Sequence, residues 1–143
     1  MSGSEQSNVE KVRHFFELQY AGRADEGFRL YGHDDFRFVT GSAGNDELRA
    51  AIPWAGYVHE GEEGYAELYS KLFGEFDVEE FTPHSFAEAG ERVYVEGHFL
   101  FRHKQTGKLA DSDWCARFDM KGGRIAGGQF FENTFAVAAA RTP

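Results

Sequence analysis

The sequence predicts an α+β fold in which a curved antiparallel sheet wraps about three N-terminal helices. Three observations carry that prediction. Apolar residues recur at helical spacing through the first half of the chain, and from about residue 77 the pattern changes to long strands. Short glycine-bearing turns separate those strands, as in an antiparallel meander. Helices first and sheet second is an α+β order, and long strands curl, so the sheet wraps the helical layer.

The elements follow in order. Ser7-Asn8-Val9-Glu10 reads as a capping box that opens a first helix. Val9, Val12, Phe16 and Tyr20 form its apolar stripe, widened by Phe15 and Leu18, and Gly22 ends it. Ala24 to Tyr31 reads as a second helix closed by Gly32. Asp35 to Thr40 is rich in strand formers, and Gly41 to Glu47 is a polar loop. Leu48 to Glu60 holds Ile52-Pro53-Trp54-Ala55-Gly56-Tyr57, which has neither helical nor strand period. Trp54 and Tyr57 there read either as a lid over a cavity or as anchors that pin a loop to the core. The third helix is the clearest. Tyr65, Leu68, Tyr69, Leu72, Phe73 and Phe76 line one side, and Glu62, Glu63, Glu67 and Lys71 the other. Glu60 to Glu63 supplies an acidic first turn, which the helix dipole favours. Four strands follow: Val78 to Ala89, Arg92 to His103, Leu109 to Met120 and Arg124 to Val137. The glycine-rich run Gly122 to Gly128 reads as a hairpin turn and a glycine-containing strand, since no helix follows it.

Bulk composition narrows the function. The 143 residues are 41% hydrophobic and 16% aromatic, enough for one core and a single domain over residues 1–143, with residues 1–7 expected as a flexible tail. The net charge of −9 repels phosphate backbones and argues against nucleic-acid binding. The longest apolar run, Phe135 to Ala140, is too short to span a bilayer. The polar start, Met1 to Asn8, lacks a signal core, so the expected location is the cytoplasm, with no membrane partner. A lone Cys115 builds neither an internal disulfide nor a thiolate cluster. His33, His59, His84 and His103 share no metal-ligand spacing and are expected at the surface. No HExxH, P-loop, GxGxxG or GxSxG motif is present, and neither metal nor cofactor is implied.

Four segments resemble the SnoaL-like branch of the nuclear transport factor 2-like superfamily, which also holds ketosteroid isomerases, limonene epoxide hydrolases and polyketide cyclases. They are FFELQYAGRADE (Phe15 to Glu26), HDDFRF (His33 to Phe38), IPWAGYVHEGEEGYAELYSKL (Ile52 to Leu72) and WCARFDMKGGRIAGGQFFENT (Trp114 to Thr134). The resemblance implies a cone with an apolar mouth that binds a small hydrophobic ligand, and a homodimer through the outer face of the sheet. It also shows what is missing. Phe15, Thr40 and Trp114 stand where the ketosteroid isomerases place a tyrosine, an aspartate base and a protonated aspartate; Asp113 takes the last place if the register slips by one. The Arg and two Asp of the epoxide hydrolases are not evident. Glu132 is the counterpart of an acid that SnoaL-like cyclases place in the last strand, although Asn133-Thr134 replaces the usual Asp-Thr beside it.

Alternation then assigns faces. Tyr94, Glu96, His98, Leu100 and Arg102 share one face of their strand, and Val93, Val95, Phe99 and Phe101 share the other. The resemblance points the first set into the cone and leaves the apolar row outside for a dimer; periodicity alone does not choose. Trp114, Ala116, Phe118 and Met120 share a face suited to a cavity wall, and Gly128, Phe130 and Glu132 align on the last strand. The candidate catalytic residues are therefore Glu132, His98 and Asp113. The candidate ligand contacts are Phe15, Thr40, Trp54, Tyr57, Tyr94, Glu96, Leu100, Trp114, Phe118 and Phe130. A carboxyl kept partly dry beside a histidine could move protons near neutral pH without a cofactor, as isomerases, cyclases, dehydratases or hydrolases require. The alternative is a non-catalytic small-molecule-binding or accessory dimerisation protein.

Overall fold

The computed structural model describes residues 6–143. The tail expected over residues 1–7 falls mostly outside them; Ser7, within them, caps the first helix. The order is α1 (Asn8–Tyr20), α2 (Ala24–Tyr31), β1 (Gly32–Thr40), α3 (Asp46–Ala51), β2 (His59–Glu60), α4 (Gly61–Glu75), β3 (Phe76–Ala89), β4 (Arg92–His103), β5 (Leu109–Lys121), β6 (Arg124–Glu132) and α5 (Thr134–Arg141). The capping box forms as expected: the Glu10 amide donates to Ser7 Oγ at 3.1 Å, and the Ser7 amide donates to Glu10 Oε1 at 2.9 Å.

The six strands form one sheet in the order β2-β1-β6-β5-β4-β3. β3 to β6 make the antiparallel meander, while β1 pairs with β6 in parallel. Register shifts within β3–β4 and β5–β6 mark bulges, which bend strands and increase twist. The sheet curls over α1 and α4 without closing. Gly127 is needed at the β1–β6 contact. Its φ is +115°, and a Cβ there would lie 1.8 Å from the Arg37 carbonyl oxygen.

Two segments depart from the expectation. The polar loop after β1 contains the short helix α3, whose N-cap is Asn45, accepting from the Leu48 amide at 2.9 Å. The last strand ends at Glu132 rather than Val137. There the Asn133 side chain accepts from the Ala136 amide, and the alanine-rich Thr134–Arg141 continues as helix.

Side-chain direction is the larger correction. On β4 the buried set is Val93, Val95, Phe99 and Phe101, while Tyr94, Glu96, His98, Leu100 and Arg102 face outward. The apolar row expected on the outer face thus lines the interior. The physical reason is area. Burying two Phe and two Val side chains outweighs burying the polar row, which would leave the Glu96 carboxylate and the Arg102 guanidinium dry. On β5 the expected face is inside: Trp114, Ala116, Phe118 and Met120 are all buried.

The core is aromatic. Phe15 packs against Phe28, Tyr65, Phe36 and Phe118 with ring centroids 5.6–6.4 Å apart. Trp114 stacks between Phe81 (4.9 Å) and Phe130 (5.1 Å). Its indole lies over the backbone of Gly97, where an added Cβ would meet the ring at 2.4 Å and the Thr82 carbonyl at 2.5 Å. Gly97→Ala is accordingly expected to destabilise the fold by about 1–3 kcal/mol, through overpacking. In urea unfolding this would lower the midpoint with little change in slope. An unchanged midpoint would mean that Trp114 has other room.

Candidate functional site

A small cavity lies between α1, α4 and the sheet. Its walls are Phe38, Thr40, Trp54, Leu68, Leu72, Phe101, Phe130 and Val137, with Tyr20, Tyr69 and Glu132 adding polar groups. Its volume is about 20 Å³, room for about one water molecule. The interior is closely packed, and a ligand larger than water requires side chains to move.

Glu132 is the last residue of β6 and lies opposite Trp114 across the β5–β6 pair. Alternation from Phe130 turns it inward, as expected. The residue as a whole is half-buried, but its Oε2 is fully enclosed and has no hydrogen-bond partner among the described residues. Burial disfavours the charge and pushes the carboxyl from its ordinary 4.5 up to about 7. The strand stops there, and after Asn133 α5 folds back across the end of the sheet, so that Val137 helps to line the cavity holding this acid.

The tyrosines were the residues missed as a site. Tyr20, Tyr65 and Tyr69 read as members of helical apolar stripes, which they are. Their hydroxyls nonetheless meet inside: Tyr65 donates to Tyr69 at 3.5 Å, and Tyr20 and Tyr69 interact beside Glu132. Burial raises all three above the usual phenol value; hydrogen bonds from Tyr65 and Tyr20 offset part of the rise at Tyr69, and the Glu132 charge adds to it. They therefore stay protonated and can donate. The available signal was chemical: three tyrosines occupied core positions where phenylalanine would pack as well, so their hydroxyls needed partners.

The remaining expected site residues divide clearly. Thr40, Trp54 and Phe130 line the cavity with Glu132. Phe15, Trp114 and Phe118 are buried in the surrounding aromatic core rather than on the cavity wall. Trp54 is an anchor. It is buried against Phe76 (6.1 Å), and its carbonyl accepts from His59 Nε2 at 2.9 Å. Tyr57 lies outside the cavity. The Arg49 guanidinium covers its ring at 3.8 Å, and its hydroxyl accepts from Lys71 at 3.1 Å. Tyr94, Glu96 and Leu100 point away from the cone on β4.

His98 and Asp113 are also on the outer face, so the expected His98–Glu132 pair does not form. His98 instead bridges two aspartates of β5, with Nε2 at 2.7 Å from Asp111 and Nδ1 at 2.9 Å from Asp113. The Asp113 hydrogen bond raises its pKa most, against a burial penalty, with further help from Asp111 and Glu80. This is a cross-strand charge cluster in solvent, not a buried acid–base pair. His59 and His103, expected at the surface, are buried. His103 shows why that is tolerable: Nε2 bonds Glu75 at 3.1 Å and Nδ1 accepts from the Thr106 amide at 3.2 Å.

The Glu132 environment fixes a sign. A pKa raised on folding means that the native state holds this proton more tightly than the unfolded chain. Its stabilising contribution is complete below about pH 4.5 and is lost as pH rises through about 7. Glu132→Gln is expected to remove that loss, so the variant gains about 2–3 kcal/mol over the parent at alkaline pH and little at acid pH. Urea midpoints measured between about pH 4 and 8 check this, and parallel pH curves for the two proteins would contradict it.

Comparison with known proteins gives a consistent picture. The model of the SnoaL-like domain matches residues 12–127. Among solved structures, an NTF2-like protein from Burkholderia xenovorans LB400 superposes with a TM-score of 0.78 at 25% identity, covering 97% of this chain and 98% of its own. An NTF2-like protein of unknown function from Burkholderia pseudomallei K96243 reaches 0.80 at 17% identity, covering 97% and 100%. A protein described as a SnoaL-like polyketide cyclase from Jannaschia sp. CCS1 reaches 0.72 at 19%, covering 99% and 100%. No functionally curated protein matches the chain. Among the described residues, no helix is long and apolar enough to cross a membrane.

Proposed function

This chain belongs to the SnoaL-like domain family, and from that membership and its buried acid we propose that it binds a small, largely apolar carbonyl compound inside the cone and moves a proton on it without a cofactor. The observation that carries this reading is Glu132, whose Oε2 is enclosed and unpartnered among the described residues, beside the tyrosine hydroxyls, with its pKa pushed by burial up to about 7. Buried acids tuned to the working pH cluster at functional sites. The cyclase description of one structural relative supports the carbonyl class.

The step follows from these groups. Glu132, as carboxylate, takes a proton from the carbon beside a carbonyl. The C–H electron pair becomes the enolate double bond, and the carbonyl oxygen takes the negative charge. A Tyr69 or Tyr20 hydroxyl donates to that oxygen, stabilising charge that develops only as the reaction proceeds. Protonated Glu132 then returns the proton to a different carbon, giving an isomer. If instead the enolate carbon attacks a second carbonyl of the same molecule, a ring closes and Glu132 protonates the new alkoxide. Either outcome regenerates the carboxylate. A homodimer through the outer face of the sheet belongs to this reading, supported by the exposed Tyr94, Leu109 and Phe131 there.

The tight interior favours one second reading, a binding or accessory protein with no chemistry. Exchange of the methyl hydrogens of 2-acetylnaphthalene for solvent deuterium separates the two. Catalysed exchange is expected to rise with pH through a midpoint near 7 and to fall by about 100-fold or more in Glu132→Gln. Equal exchange in that variant would remove Glu132 from the mechanism, and binding without exchange in the parent would favour the second reading.

A further inference from the structure

The Glu132 cavity holds about 20 Å³, yet a groove of about 290 Å³ opens between α1 and β3 on the other side of one aromatic ring. That ring is Tyr20, which lines both. The groove's remaining walls are Arg13, Phe16, Glu17, Phe81, Pro83 and Phe86. Tyr20 lies flat on Phe81, with centroids 3.8 Å apart and planes 12° apart. Phe81 stacks on Trp114, and Trp114 on Phe130, which faces the cavity. A column of parallel rings therefore runs from the groove to the acid. Within it the Trp114 indole N–H is buried and has no partner among the described residues.

Glu132 also borders two shallow surface depressions, one on the outer face of the sheet and one between α3 and α5, but beneath α5 the cone is braced. Arg141 of α5 donates to both oxygens of Glu75, at 2.6 and 3.0 Å, and to the Ala51 carbonyl at 2.7 Å. Opening there breaks a bidentate ion pair and exposes Val137 and Trp54. Opening at Tyr20, a half-buried residue at the last position of α1, turns one ring off Phe81 and breaks no ion pair.

We propose that the α1–β3 groove is the entrance and outer half of the ligand site, that Tyr20 is its gate, and that the ligand is a flat aromatic molecule with a carbonyl at its leading end. The proposal rests on the Glu132 site being the destination and adds the ligand class and route. Flat walls select flat ligands, because stacked rings lose contact against a puckered one. Phe16, Phe81 and Phe86 hold the aromatic body, and the Trp114 N–H gains an acceptor as the carbonyl passes Tyr20. Arg13 lies at the rim over Phe86 at 4.5 Å and forms no ion pair among the described residues, so it can shift as the groove fills.

Stopped-flow uptake of 2-acetylnaphthalene, read by quenching of tryptophan fluorescence, tests the route without requiring turnover. Failure of the exchange experiment and failure of this one are therefore distinguishable. Arg13→Phe, a change at an exposed position that adds no tryptophan, fills the groove and is expected to slow association by about tenfold or more. Tyr20→Ala and the better-packed Tyr20→Leu are expected to speed it by a similar factor, while Tyr20→Phe, which keeps the ring, leaves it within about twofold. Arg141→Ala is expected to change it by less than about twofold, and cyclohexyl methyl ketone to bind about tenfold more weakly. Acceleration in Arg141→Ala with indifference to Arg13→Phe would place the entrance beneath α5 and overturn the proposal. Absence of uptake by both the parent and Tyr20→Ala would overturn it equally, as would equal affinity for the puckered ketone.

Discussion

Strand alternation against an aromatic core governs this molecule. Each strand of the meander offers two faces, and only one can lie on Phe15, Phe16 and Tyr65. On β4 the apolar row takes that side, and the antiparallel register then carries the choice to β5 and β6. Trp114 is inside because it pairs with Gly97, whose missing side chain leaves space for the indole. Glu132 is inside because it pairs with Trp114. The placement of Glu132 is thus inherited strand by strand from the burial of phenylalanine and valine.

That inheritance has an energetic consequence. A carboxyl at an inward position would ordinarily find a partner or be replaced. Here Oε2 has none among the described residues, and the acid responds by holding its proton to about neutral pH. The strand's end adds to the enclosure. Asn133 turns the chain into α5, and Arg141 fastens that helix to Glu75. The rings that exclude water from the core also enclose Oε2.

Much of the architecture was legible. The capping box at Ser7, the apolar stripe of α4 and the glycine turns between the long strands each depend on a few neighbouring residues, and each forms, although Phe76, read as the end of that stripe, opens β3. The resemblance carried by Trp114 to Thr134 located Glu132 on the last strand; its neighbours Phe130, Phe131 and Phe135 read as signs of burial, but of these only Phe130 is buried, and Phe131 and Phe135 are exposed. The face of β4 was not legible in the same way. Tyr94, Glu96, His98 and Leu100 alternate with Val93, Val95 and Phe99 at the same period from either side, so pattern alone leaves two solutions. His98 illustrates the cost: a histidine near acids suits a site in sequence, yet its partners Asp111 and Asp113 lie with it on the outer face.

The sequence by itself determined the kind of fold, the order of most of its elements and the presence of an acid among aromatics, because those are properties of local spacing and composition. Only the tertiary structure decided which face of β4 is dry, that Tyr20, Tyr65 and Tyr69 bring their hydroxyls together from two helices, and that one tyrosine ring separates a groove from the cavity. These depend on contacts between residues distant in the chain, such as Tyr20 with Tyr69 and Phe81, whose meeting is set by how the sheet bends over the helices.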